Sequence, residues 1–287
     1  RRVIDATEQT IRLIAPPGSG KTQTLVNRVL THLRNGISAQ NTVILTFDSN
    51  SVASLRGKFR DELSRARINL DQTPAISTIS NFGYALLREY VPDEYKSVAP
   101  EYRKRRLLRE VKDALYEISP ERFNLLPTVV QDRFYLEFFS LLKNESFDPR
   151  KPDAQALANF MLARTEASAP FFSTTTPEIV IKVIQAVIWL YMAYELAMQR
   201  EKLIDVDDQK LRAYLALRDD KMLLRRVQER YSEIIVDEFQ EINRLDFVFI
   251  ATLAAESRLI VAGDDDQAIY GFRGCSPDYL INLCTYL

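Results

Sequence analysis

The chain has 287 residues, 46% of them hydrophobic and 27% charged, with 8 Gly and 12 Pro. This composition excludes a disordered or fibrous protein, and the length allows about two domains at roughly 150 residues each. Lys plus Arg at 38 against Asp plus Glu at 39 leaves a net charge of −1, so any nucleic-acid surface has to be local. No apolar run reaches the roughly 18 residues that span a bilayer, and no membrane partner is expected. Cys275 and Cys284 match neither a disulfide framework nor a metal knuckle, which points to a reducing, cytoplasmic compartment. The single histidine, His32, cannot build a multi-His zinc site. It closes a helical run, and a surface or helix-end role is expected.

In chain order, residues 1–7 pattern as helix, without Met or the apolar core of a signal peptide. Residues 282–287 end in an apolar stretch with no helix stop signal, so both ends read as the inside of a longer chain. Between them, β-rich runs at 11–15, 42–47, 75–79, 234–236 and 259–262 alternate with helical patterns. Near-continuous apolar strands followed by helices predict an α/β fold, a parallel sheet covered on both faces. Residues 91–199 carry long amphipathic and charged patterns with few strand signals. They are expected to form an inserted all-α subdomain, leaving 1–90 and 200–287 for the α/β domain. The stripe around Trp189, Tyr191 and Tyr194 reads as helix core.

The first strand runs into Ala15-Pro16-Pro17-Gly18-Ser19-Gly20-Lys21-Thr22, and a helical pattern follows from Gln23. A loop of this kind turns backbone N–H groups toward phosphate oxygens, and the helix N-terminus adds favourable partial charge. Lys21 is placed to pair with β- and γ-phosphates and the Thr22 hydroxyl to bind Mg²⁺. Ala15 stands where the strict pattern has Gly.

Ile234-Ile235-Val236-Asp237-Glu238 ends an apolar strand in two carboxylates, at the strand end where open α/β sheets place their ligand crevice. Asp237 is the metal candidate and Glu238 the general base. The next apolar run leads into Gly263-Asp264-Asp265-Asp266-Gln267, then Tyr270, Phe272 and Arg273. Three aspartates in succession fit a solvated turn, without the ligand spacing of a calcium loop. Gln267 is a candidate γ-phosphate sensor, and Tyr270 and Phe272 offer faces for stacked bases, although core packing is the commoner fate of such aromatics.

Together these segments resemble the UvrD/Rep-like branch of superfamily 1 DNA helicases, on residues 15–22, 236–241 and 263–274, with weaker matches at 45–50, 77–87 and 204–208. The resemblance implies a RecA-like P-loop NTPase motor domain, 1A, carrying a helical insertion, 1B. It implies ATP and Mg²⁺ as cofactors, with Pro17, Gly18, Ser19, Gly20, Lys21, Thr22 and Gln23 holding the nucleotide. Thr22 and Asp237 would hold the metal, with Lys21, Glu238 and Gln267 catalytic. Phe47, Asn50, Thr78, Ser80, Tyr270 and Phe272 fall where the family meets single-stranded DNA.

The implied function is the N-terminal motor half of an ATP-dependent 3′-5′ helicase or translocase acting in DNA repair or recombination. Its partners would be single-stranded DNA, single/double-strand junctions and a second, C-terminal RecA-like domain, in a cytoplasmic, nucleoid-associated setting. The alternative is a nucleotide-gated DNA-binding or scaffold module without motor activity. The chain departs from the family in lacking the adenine-reading Gln, which would precede Arg1. It has Gln23 where relatives often have Arg, Glu241 in place of Asp, Ser80 in place of His, and Phe272 in place of Trp. Two basic stretches, 103–109 and 221–226, offer phosphate contacts, though a helix face balanced by neighbouring acids is the commoner arrangement.

Overall fold

The computed structural model describes residues 3–68, 73–127, 130–163, 177–264, 266 and 274–287. Five strands, β1 (Thr10–Ile14), β2 (Thr42–Thr46), β3 (Ala75–Thr78), β6 (Glu233–Val236) and β7 (Arg258–Gly263), form one parallel sheet in the order β1-β7-β6-β2-β3. Two further two-residue strands, β4 (Ser97–Val98) and β5 (Leu203–Ile204), pair in parallel elsewhere.

Burial follows position in the sheet. Every residue of β2 and β6 is buried, while edge strands β1 and β3 mix buried with exposed positions. Central strands of a parallel sheet are covered on both faces and so read as continuous apolar runs. On one face Ile11, Ile44, Ile76, Ile235 and Ile260 pack against Leu25, Val26, Val29 and Leu30 of the Lys21–Arg34 helix and Val52, Leu55, Phe59 and Leu63 of the Ser49–Ala66 helix. The Arg244–Ala254 helix starts with a capping box, Asn243 and Asp246 exchanging side-chain to backbone hydrogen bonds. Its Phe249 meets Phe82 of the Ile79–Tyr90 helix, ring centroids 6.4 Å apart.

Residues 3–5 turn rather than continue a helix. The fully buried Arg28 explains the difference, because its guanidinium takes the carbonyls of Val3 and Ala6 at 2.6 and 2.9 Å, and i+4 amides do not. The same side chain forks onto Glu233 at 2.8 and 3.1 Å. His32 lies in the last turn of the Lys21–Arg34 helix, 3.8 Å from Glu233. Burial holds it below its ordinary pKa, with Arg28 and Arg258 adding to the effect and Glu233 opposing it.

The chain divides into two compact units, 1–86 with 212–287, and 87–211. Among its described residues the second has helices and the β4–β5 pair as its regular elements. Its core gathers Leu107, Leu108 and Val111 of the Glu101–Ile118 helix, Tyr135, Phe138 and Phe139 of Asp132–Asn144, and Val187, Tyr191 and Tyr194 of Pro177–Arg200, with Trp189 half-buried beside them. No unbroken apolar run reaches bilayer length, but exclusion of a spanning segment on that ground needs correction: the Ile179–Arg200 helix is 22 residues long and holds an 18-residue window of mean hydropathy 1.6. Half of that window is buried inside the protein, Lys182 is exposed, and buried Glu195 pairs with Lys143 at 2.8 Å. The apolar length serves a protein core.

The basic residues at 103–109 are paired with acids. Arg103 meets Glu110 and Glu201, Lys104 and Arg105 meet Glu101, Arg106 meets Glu110, and Arg109 meets Asp132.

Candidate nucleotide site at the carboxyl edge of the sheet

All five strands of the main sheet point their carboxyl ends the same way, so the loops after β1, β6 and β7 share one edge. β7 lies between β1 and β6, with Ile14 beside Gly263 and Val236 beside Val261. The loop after β1 is anchored by Ala15 N–H to Gly263 O at 3.2 Å, and Ser19 N–H donates to Pro16 O at 3.3 Å. Gly18 and Gly20 sit at φ of 70° and 89°, the left-handed region that Gly enters without steric cost. Gly20 also starts the Lys21–Arg34 helix, whose first turn no side chain caps. Residues 16–20 are exposed, so a positively polarised helix end opens to solvent.

Lys21 Nζ reaches the carbonyls of Ala15 and Pro16 and lies 4.0 Å from Asp264. The Thr22 hydroxyl donates to Asp237 Oδ2 at 3.0 Å, joining residues 215 positions apart. Asp237 is 4% exposed. Burial pushes its carboxyl above the ordinary carboxylate value and the neighbouring Glu238 charge adds to this, while Thr22, the Glu238 N–H and Lys21 pull it down. Thr22 and Asp237 present only oxygen donors, a set that suits Mg²⁺, which takes one or two protein oxygens and completes its shell with water and phosphate oxygens. The loop glycines, Lys21 and the open helix end suit a polyphosphate. The residues therefore fit both groups.

Glu238 is half-buried, with its backbone left-handed at φ 56°, ψ 42°, a conformation that costs a non-Gly residue about 1 kcal/mol or more. Its Oε2 accepts from Gln240 Nε2 at 2.7 Å, and Gln240 Oε1 accepts from the Asp264 N–H at 3.0 Å. Asp264 is 3% exposed, which corrects the expectation of a solvated turn at that residue. Gln240 and Asp264 thus join the site although neither is among the residues expected there; the sequence signal for Gln240 is an amide two positions after Glu238. Gln23 Nε2 donates to Asn27 Oδ1 at 3.1 Å.

Of the residues expected to meet DNA, Phe47 is half-buried just past β2, and Asn50 is exposed in the first turn of the following helix. Asp48 caps that helix by accepting from the Asn50 and Ser51 amides at 2.7 and 3.0 Å. Thr78 ends β3, buried, its Oγ1 accepting from Asn81 N–H at 3.1 Å, and Ser80 is half-buried two residues on. This group lies at the β2–β3 side of the sheet, about 15–20 Å from the β1 loop at roughly 4.8 Å per strand. Gln267, Tyr270 and Phe272 lie outside the described residues.

A parallel sheet flanked by helices, with a Gly-Lys-Thr loop after its first strand and an acidic strand end beside it, defines a RecA-like P-loop α/β protein. The chain belongs to the UvrD/Rep helicase family: the model of the UvrD/REP helicase N-terminal domain matches residues 1–285. It is similar to DNA helicase II of Escherichia coli K12, 26% identical over 282 residues, covering 97% of this chain and 34% of that protein. It is 27% identical over 291 residues to the putative ATP-dependent DNA helicase YjcD of Bacillus subtilis 168, covering 98% and 33%. To ATP-dependent DNA helicase Rep of E. coli K12 it is 25% identical over 278 residues, covering 94% and 36%. The chain thus spans about a third of the length of these relatives.

Proposed function

We propose that this chain is the ATP-binding motor portion of an ATP-dependent DNA helicase or translocase that moves 3′ to 5′ on single-stranded DNA in repair or recombination. The observation that carries the reading is the Thr22–Asp237 hydrogen bond, which joins the phosphate loop to the acidic strand end. In this reading Pro17–Gln23 cradle the nucleotide phosphates, and Lys21 leaves its loop carbonyls for the β- and γ-phosphates. Thr22 and Asp237 hold Mg²⁺, which when bound offsets phosphate charge. Glu238 takes the proton of the attacking water, and Gln267 senses the γ-phosphate. Phe47, Asn50, Thr78, Ser80, Tyr270 and Phe272 form the single-stranded DNA track, extending to single/double-strand junctions. The unit of residues 1–86 and 212–287 is then the motor domain 1A, and 87–211 the accessory domain 1B.

An arginine reaching the γ-phosphate from another domain is worth about 10³–10⁵ in rate. In this reading a second RecA-like domain supplies it. The 287 residues alone are accordingly expected to bind Mg-ATP, hydrolyse it slowly and unwind no DNA. The test is ATP turnover with and without oligo-dT, using Glu238→Gln as control. Turnover above the control, or Mg-ATP binding without turnover, supports the reading. Failure to bind Mg-ATP, or turnover equal in the control, overturns it.

A further inference from the structure

Glu238 occupies a backbone conformation that L-residues avoid, and it does so at the strand end assigned to the general base. A strained residue keeps such a conformation only where its surroundings determine it. The Glu238 backbone is held by its N–H to Asp237 Oδ1 at 3.1 Å and by Glu241 N–H to its carbonyl, and its carboxylate is held by Gln240. Gln240, 2% exposed, donates Nε2 to Glu238 Oε2 at 2.7 Å and accepts the buried Asp264 N–H on Oε1 at 3.0 Å. The amide therefore uses one end on the carboxylate and the other on the backbone of the neighbouring strand's loop.

A second observation comes from Gly263, the last residue of β7. A Cβ built there would lie 2.6 Å from Gln240 Oε1, 2.8 Å from Leu280 Cδ2 and 3.3 Å from the Gln240 nitrogen. Gly263 lies outside the left-handed region, so backbone freedom does not account for the glycine. Space for the Gln240 amide, with Leu280 beside it, does.

We infer that Gln240 is a positioning residue for hydrolysis: its amide ties the Glu238 carboxylate to the Gly263–Asp264 turn, and the missing side chain at Gly263 makes room for that tie. This rests on the proposed role of Glu238. A free carboxylate on a short side chain samples several rotamers, of which few face an attacking water. A tether to a buried backbone amide removes that freedom before the reaction begins.

The variants separate the two ends of the amide. Gln240→Glu keeps an acceptor for the Asp264 N–H but loses the donor to Glu238 and places a like charge against it. Gln240→Leu loses both ends and leaves a buried amide unpaired. Gly263→Ala displaces the Gln240 amide, and Leu280 with it, while leaving both polar groups of the tie in the chain.

Single-turnover ATP hydrolysis with protein in excess reads slow rates as well as fast ones. Gln240→Glu and Gly263→Ala are expected to lower that rate about 10- to 100-fold, as small misplacements of a reacting group do, with the affinity for Mg²⁺ and a fluorescent ADP analogue unchanged. An unchanged rate, or rate and affinity lost together, overturns the inference.

A nucleotide-free readout keeps this distinct from the proposed function. In the NMR spectrum of the free protein, the Gln240 side-chain amide resonances should shift on Glu238→Ala. Resonances that do not move refute the tether itself. Failure of the unaltered chain to bind the analogue, with the shift present, refutes the nucleotide-site reading and with it the role in hydrolysis.

Discussion

Asp237 carries a cost that its proposed work explains. Its carboxyl is raised above the ordinary value, first by burial and then by the Glu238 charge. A raised carboxyl contributes stability below its unfolded pKa and loses it as pH rises through the folded value, so at neutral pH the buried charge weakens the fold. Asp237→Asn is therefore expected to raise Tm at pH 7 in buffer containing EDTA, by about 2–4 °C per kcal/mol relieved, while abolishing Mg²⁺-dependent nucleotide binding. A lower Tm would show that the charge is stabilised by contacts other than those seen. Lys21→Ala should change Tm little and weaken Mg-ATP binding, measurable by calorimetry, because among the described residues Lys21 Nζ meets loop carbonyls and, at 4.0 Å, Asp264, and its effect on Asp237 is the smallest of those acting on that carboxyl.

At the scale of elements, two buried ion clusters hold segments far apart in the chain. Arg28 joins the first helix to the start of β6 through Glu233 and fastens the carbonyls of residues 3 and 6. In the helical unit Lys143, fully buried, lies 2.7–3.1 Å from Asp205, Glu195 and Asp208. This joins the Asp132–Asn144 and Pro177–Arg200 helices to the turn after β5. Desolvation would raise the Asp205 pKa, but Lys143 and the Asp208 N–H hold it below its ordinary value.

Removing one partner from such a cluster costs about 3–5 kcal/mol, because the others stay buried without its opposite charge. Lys143→Met should lose that much in urea denaturation at pH 7. It should recover part of the loss near pH 5, since without Lys143 the charge that holds the buried Asp205 carboxyl down is gone and burial favours its protonated form. Equal losses at both pH values would contradict the account. Arg28→Met should cost about 3 kcal/mol, read the same way, with Arg258 at 3.5 Å still facing Glu233.

For the whole molecule, the parallel sheet decides which loops can act together. Its order places β7 between the phosphate loop and the acidic strand end, and puts Phe47 and Thr78 toward the other side of the same edge. In the proposed function, nucleotide and DNA meet one rigid sheet at separate places. The acid pairing along 103–109 makes that helix face a weak candidate for phosphate contact. Reversing Arg103, Arg105 and Arg106 to Glu is expected to leave the salt dependence of DNA binding unchanged. A flatter slope would place DNA on this face.

The strands are legible in the sequence because central parallel strands are apolar at every position, and the loop from Gly18 to Thr22 is legible because its geometry is local. The same local reading goes wrong at residues 3–7, where the distant Arg28 claims the carbonyls, and at Asp264, which is buried with its N–H on Gln240. It also misses the apolar length of Ile179–Arg200, in which Lys182 and Glu195 break the run while the helix stays continuous.

What the sequence alone determined was an α/β chain with a phosphate loop, an acidic strand end and the marks of its helicase family, since periodicity and short motifs are properties of neighbouring residues. The tertiary structure decided that Thr22 meets Asp237, that Lys143 gathers three carboxylates, and that Gln240 spans Glu238 and Asp264. Strand order and side-chain packing set these contacts, and most of them join residues too far apart in the chain for any local pattern to record.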